Sequence, residues 1–431
     1  MYKRSIITAV MISVMSMIAN AQTGTWSGKL DVQGTKLSLV FHLDGENPSM
    51  DSPDQGAEGI PIQVSRTASN TIKVIIPSLG ASYEGVWMIR QIVGTFTQMN
   101  ASFPLTLTPG ENKPARPQTP KPPYPYQTEE VSFTNGDIVL NGTLTLPAGC
   151  SRETPVLVMV TGSGIQNRDE ELFEHKQFAV LADALARAGI ATLRYDDRGY
   201  AMEGGNPLAW TTSDFKSDAE VAVDLLRNRF DRVGVIGHSE GGTIALMLAA
   251  EKKADFIVCL AGMVVSGAET LVSQNRSALL LAGVSEEVTG EYCRLLEKAF
   301  DVQVNGGMMP DPDDYNLPKE LKQNYQAVLN QVRTPYLSKL LTLDVRPLLA
   351  DITCPVLALN GTKDIQVDHE SNLDALRIGL KASHAHHIEA IEGANHLLQS
   401  CTTGAVTEYR TIEETISPKV LETVISWLSA L

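Results

Sequence analysis

A short β-branched run, Val233-Gly234-Val235-Ile236, stops at Gly237, and Gly241-Gly242 open an Ala/Leu/Met segment ending at Ala250. The first pattern is that of a buried strand and the second that of a helix. Between them lies Gly237-His238-Ser239-Glu240-Gly241, a G-x-S-x-G match placed at a strand-to-helix turn. So sharp a turn holds Ser239 in strained backbone geometry, and Gly237 and Gly241 lack the Cβ atoms that would collide there. The helix that follows aims its free N–H groups and positive dipole end at the hydroxyl. Ser239 is therefore the candidate nucleophile.

A serine nucleophile requires a base, an acid that orients the base, and donors for the developing oxyanion. The order Ser, acid, His is met downstream. Val356-Leu357-Ala358-Leu359 is a strand pattern leading into Asn360-Gly361-Thr362-Lys363-Asp364. His387 to Ile391 is the next strand and leads into Glu392-Gly393-Ala394-Asn395-His396. His396 is the candidate base and Asp364 its orienting acid. Asp368, four residues on, competes for the acid's place. The cluster His384, His386 and His387 would suit a metal, but it enters a strand at the end away from the other motifs. His238 is aimed away from its neighbour Ser239 and reads as a hydrogen-bonding residue. The backbone N–H groups of Glu240 and of Ser163, with Gly164 next, are the candidate oxyanion donors; Ser163 lies in Thr161-Gly162-Ser163-Gly164 after the first core strand. Arg168, further along the same loop, reads as a structural ion-pair residue before a substrate contact. No role is assigned to the Glu240 side chain.

At 431 residues the chain exceeds one ordinary core. Met1 to Ala21 has a basic start (Lys3, Arg4), an apolar stretch from Ile6 to Ile18 and the site Ala19-Asn20-Ala21, a cleaved export signal too short to span a membrane comfortably. The expectation is an exported protein, periplasmic or extracellular, with no membrane span. Residues 22–109 alternate polar and apolar positions between glycines, as in Lys36 to Leu43 and Asn70 to Ile75, and predict a small all-β domain of barrel or sandwich type. In it Trp26 and Trp87 are expected in the core and His42 on a strand face. Residues 110–127 hold a proline-rich linker read as a semi-rigid spacer. From residue 128 to 431 strands alternate with helices, and a helical insertion at about 263–350 reads as a lid over a pocket. The net charge of −15 argues against nucleic acid as a partner. Five scattered cysteines make neither a disulfide framework nor a metal cluster, and the chemistry expected here needs no cofactor and no metal.

The motifs around Ser163, Ser239, Asp364 and His396, in this order, resemble those of the α/β-hydrolases over roughly Thr128 to Leu431. The Gly162-Ser163-Gly164 and Asn167-Arg168-Asp169 pattern is similar to that of secreted two-domain bacterial serine esterases of dienelactone-hydrolase-like and cinnamoyl-esterase-like type. The resemblance implies an α/β-hydrolase fold, with a mostly parallel eight-stranded sheet, and a carboxylesterase acting on small acyl or aryl esters, some carbohydrate-linked. It departs at Thr161-Gly162, where many relatives have His-Gly. Two other readings stand beside it: a prolyl-oligopeptidase-like peptidase, and a catalytically inert glycan-binding protein.

Overall fold

The computed structural model describes residues 24–32, 35–55, 57–67, 70–88, 90–99, 101–111, 115–200, 209–381 and 386–431. The expected export signal and His384 lie outside them. The chain divides into two compact units after Pro114.

The first unit is all-β. Its strands are β1 (Thr25–Val32), β2 (Thr35–His42), β3 (Ser49–Ser52), β4 (Ala57–Pro61), β5 (Gln63–Arg66), β6 (Thr71–Ile76), β7 (Ala81–Trp87), β8 (Ile92–Gln98) and β9 (Ala101–Pro109). They form one antiparallel order, β4-β3-β2-β1-β9-β8-β7-β6-β5, so two meanders are joined through β1 and β9. Inward positions from both meanders, among them Trp26, Phe41, Met50, Ile72 and Tyr83, share one cluster. A single sheet can enclose one cluster only by curling on itself. Trp26 and Trp87 pack edge to face at 4.8 Å inside it, as expected of core residues. His42 lies on the strand surface between the Thr25 hydroxyl and the Asp51 carboxylate.

The second unit opens with the later half of the proline-rich stretch, which is fastened rather than free. The Arg116 guanidinium donates to the carbonyls of Phe173, Arg410 and Ile412, and Gln118 bonds the backbone of Thr415 and Ile416. Its strands are β10 (Gln127–Asn135), β11 (Ile138–Leu146), β12 (Val156–Val160), the two short strands β13 (Glu171–Leu172) and β14 (His175–Lys176), β15 (Ala191–Tyr195), β16 (Val233–His238), β17 (Ile257–Leu260), β18 (Val356–Gly361) and β19 (His387–Ile391). All but β13 and β14 form an eight-stranded sheet ordered β10-β11-β15-β12-β16-β17-β18-β19. β10 and β11 are an antiparallel hairpin in which Asn135 pairs with Ile138 around the turn Gly136-Asp137, and from β15 to β19 every pairing is parallel.

Helices α1 (Gln177–Arg187), α2 (Thr212–Arg227), α3 (Glu240–Ala250), α4 (Gly267–Leu281), α5 (Glu286–Asn305), α6 (Lys319–Val332), α7 (Pro335–Thr342), α8 (His369–Gly379), α9 (Val406–Tyr409) and α10 (Pro418–Ala430) complete it. The central strands read as unbroken apolar runs because both faces are covered. Val156, Val158 and Val160 of β12 join the cluster of α2 and α3, whereas Leu157 and Met159 join that of α1 and α10. Helices α4 to α7 fall between β17 and β18, where the insertion was expected, and hold a small core of their own around Tyr292, Phe300 and Tyr325. The five cysteines are unbridged. Among the described residues no helix is long and apolar enough to cross a membrane.

His175, on β14, is fully buried between the Thr415 hydroxyl, the Tyr409 carbonyl and the Gln399 amide. Its Nδ1 meets a hydroxyl, which can either give or take a proton, so no second ring proton is required there. Burial lowers its pKa from 6.5 to about 4. Between those values the unfolded chain binds a proton that the folded chain refuses, so stability falls as pH drops through this window and is complete above it. Urea midpoints measured from pH 7 to pH 4 should decline, and His175→Gln should flatten that decline; an equally steep profile in the variant would contradict the assignment.

Candidate active site

The turn after β16 is set by contact between backbones. A Cβ on Gly237 would lie 2.0 Å from the Gly241 carbonyl oxygen, and one on Gly241 would lie 2.0 Å from that of Val160. Only glycine permits so close an approach of α3 to β12 and β16. Ser239 sits between them with φ of +53°, a left-handed conformation that a non-glycine residue holds only under constraint. Its N–H is taken by the Leu260 carbonyl at 2.8 Å. Glu240 is the first residue of α3, so the free N–H groups of that helix open beside Ser239.

The loops after β18 and β19 bring the other two candidates together. His396 Nδ1 lies 2.7 Å from Asp364 Oδ2, with both side chains buried. The second Asp364 oxygen accepts from the N–H groups of Gln366 and Val367, which fixes the carboxylate in one orientation. Asp368 is engaged elsewhere: it caps α8, accepting from the Ser371 N–H at 2.8 Å. The loops meet because Gly361 lies against the Ala394 carbonyl, which a Cβ would approach to 2.2 Å.

Ser239 and His396 both line a cavity of about 430 Å³, as do Ser163 and Glu240. Gly164 is not among its lining residues. The Gly162 N–H is already given to Glu170 Oε1 at 2.7 Å, which leaves the next residue, Ser163, to face the opening. The insertion supplies Thr270, Leu271, Gln274, Tyr336, Leu337 and Leu340 to the same cavity. Arg168 lies away from it, held by Asp196, Glu130 and Thr143. His387 bonds Glu389 on its own strand. Among the described residues no group of His, Cys, Asp and Glu could hold a metal.

Sequence reasoning missed several residues of this site. Phe173, in the tight β13–β14 turn, and Tyr409 of α9 line the cavity and pack edge to face at 5.8 Å. Tyr336 of α7 donates to Glu240 Oε2, and the Thr212 hydroxyl takes Oε1. Burial and the Glu240 charge hold the Tyr336 phenol well above its ordinary pKa, so it stays a donor. These contacts account for the Glu240 side chain: a carboxylate beside the nucleophile is kept by two hydroxyls, one of them from the insertion. The short run Pro335 to Thr342 carried the one available signal, a proline after a threonine cap.

The model of one family, described as serine aminopeptidase, S33, matches residues 173–400, more than half of the chain. The chain belongs to this α/β-hydrolase family. A curated relative, Esterase EstD of Thermotoga maritima, is 30% identical over 249 residues, 56% of this chain and 55% of that protein. The chain thus spans about half the length of the curated relative it matches. Among solved structures, Est1E from Butyrivibrio proteoclasticus is 18% identical with a TM-score of 0.40, covering 70% of this chain and 99% of its own. A dienelactone hydrolase from Anabaena variabilis is 19% identical with a TM-score of 0.41, covering 71% and 99%. In this S33 hydrolase the family match begins at Phe173, in the wall of the cavity, and ends at Ser400, just past His396.

Tyr336→Phe should leave a buried carboxylate oxygen of Glu240 short of a donor and lower the stability of the second unit by about 1–3 kcal/mol. Chemical denaturation of the variant and the parent checks this; an unchanged midpoint would mean that the contact contributes nothing.

Proposed function

We propose that this protein is a serine carboxylic-ester hydrolase working through an acyl-enzyme. The observation that carries the reading is the 2.7 Å contact of Asp364 with His396, whose ring opens on the cavity shared with Ser239. In this reading Ser239 Oγ attacks the ester carbonyl while His396 Nε2 takes its proton. Asp364 keeps the proton on Nδ1 and stabilises the imidazolium that forms. The oxyanion is received by the N–H groups of Glu240 and Ser163, supported by the N-terminal end of α3. The alcohol leaves with the His396 proton, and a water activated by the same ring releases the acid.

Small acyl and aryl esters are the proposed substrates. Leu172, Phe173, Met263, Leu271, Leu337 and Leu340 give the cavity an apolar wall, and the relative EstD is named an esterase. The family's description also raises a peptidase acting at a free amino terminus. Against it, the Glu240 carboxylate in the cavity wall is already engaged on both oxygens by the hydroxyls of Tyr336 and Thr212. We further infer an exported, periplasmic or extracellular enzyme from the N-terminal pattern.

Hydrolysis of p-nitrophenyl esters of increasing chain length, beside aminoacyl-p-nitroanilides, tests the reaction class. Short esters should be cleaved and anilides left intact; the reverse would establish the peptidase. Ser239→Ala should abolish turnover, and Asp364→Asn should reduce kcat by orders of magnitude, as about 10⁴-fold in a comparable triad. Asp368→Asn should leave it near the parent value, and a loss there instead would move the acid.

A further inference from the structure

Behind Ser239 lies a second histidine with a carboxylate that the proposed mechanism does not use. His238 is 3% exposed and Glu170 is fully buried. His238 Nδ1 lies 2.9 Å from Glu170 Oε1, and Nε2 lies 2.9 Å from the carbonyl oxygen of His396. Both ring nitrogens therefore face oxygens that have no proton of their own to give when the carboxylate is ionised. A neutral imidazole carries one N–H and could satisfy only one of them. His175 differs, since its Nδ1 faces a hydroxyl. The groups around His238 agree with a retained proton. Burial pulls its pKa down, but the charge and hydrogen bond of Glu170, the His396 carbonyl and the charge of Asp364 outweigh this and leave it raised.

The same Glu170 oxygen accepts from the Gly162 N–H at 2.7 Å. A single chain of hydrogen bonds thus runs from the oxyanion loop through Glu170 and His238 to the backbone of the proposed base. Its Gly162 end lies against Ser239: an added Cβ on Gly162 would lie 3.2 Å from the Ser239 Cβ. Glu170 holds this place at φ of +49°, and its other oxygen has no hydrogen-bond partner among the described residues. A residue in that conformation with one buried oxygen unmatched persists only where its surroundings impose it.

We propose that Glu170 and His238 are paired positioning residues, a buried strut that fixes the oxyanion loop and the His396 loop at a set distance from the nucleophile. The inference rests on the acyl-transfer reading above. With its shared proton the pair is also electrically neutral, so the Glu170 charge is balanced where the oxyanion must form.

The test uses the full chain and the variants Glu170→Gln and His238→Asn. Glutamine keeps the shape but not the charge, and asparagine is too short to reach both acceptors. Competent sites are counted by stoichiometric labelling with a fluorophosphonate, and kcat per labelled site and KM are measured on a p-nitrophenyl ester. The affinity of an arylboronic acid, which imitates the tetrahedral adduct on Ser239, is measured in parallel. Each variant should lose about 10- to 100-fold in kcat per labelled site and in boronate affinity, with KM within about threefold of the parent. A purely structural role would lower the number of competent sites and leave kcat per site unchanged; that result overturns the proposal. Should Glu170→Gln fail to fold, His238→Asn carries the same comparison. A parent protein that neither labels at Ser239 nor cleaves esters fails the acyl-transfer reading itself, whereas parent-like kcat per site in the variants fails only the strut.

Discussion

The packing of backbone on backbone at the turn after β16 is the constraint on which the rest of the molecule depends. Helix α3 crosses its own sheet so closely that Gly237 and Gly241 each leave no room for a single carbon, and a Cβ on Gly242 would lie 2.9 Å from the Gly262 Cα. The approach forces Ser239 into a left-handed conformation and lifts its side chain clear of the sheet. It also sets where α3 begins, and hence where its unpaired N–H groups point. The covered parallel strands hold this geometry rigid from both faces, through the two clusters that divide β12 residue by residue. The strain at one residue is small beside the burial of the apolar side chains in these clusters, each contributing about 1.5–3 kcal/mol.

This constraint was legible in the sequence because it is local. Glycine spacing, a β-branched run and a helix-forming run lie within Val233 to Ala250, and the two later strand-loop units repeat the same grammar around Asp364 and His396. The alternation of strand and helix gave the sheet, and the unbroken apolar character of β12, β16 and β18 gave its burial on both faces. Small elements escaped: the β13–β14 pair has two residues per strand, too few for any period to register. Helix α8 leaves little periodic signal because its apolar residues, Leu373 and Leu376 among them, are few between charged ones. The proline-rich stretch suggested a spacer, but composition alone does not reveal that Arg116 would find three carbonyls.

What stayed hidden at the site was long-range pairing. Tyr336 meets Glu240 across 96 positions, and Glu170 meets His238 across 68. Neither pair has a spacing rule, since the separation depends on how much chain the intervening strands and the insertion consume. An acidic residue in the loop after β12 and an acidic residue after the nucleophile look alike in the sequence. Their surroundings separate them: one meets an imidazole and a backbone amide, the other two hydroxyls.

Three carboxylates thus crowd a site whose proposed chemistry creates negative charge, and each is handled differently. Asp364 faces His396 and is useful when that ring becomes positive. Glu170 is offset by a histidine whose two nitrogens both point at acceptors. Among the described residues Glu240 meets the hydroxyls of Thr212 and Tyr336 and no cation, yet it occupies the first position of α3, where the helix dipole favours a negative charge. A cation in place of those hydroxyls would cancel the carboxylate but would also disturb the positive end of α3. Neutral donors leave the field of the helix intact, and one of them reaches in from α7 of the insertion. The insertion is thereby tied to the residue whose N–H is proposed to receive the oxyanion, so the cavity wall and the charge-stabilising machinery are built from one set of contacts.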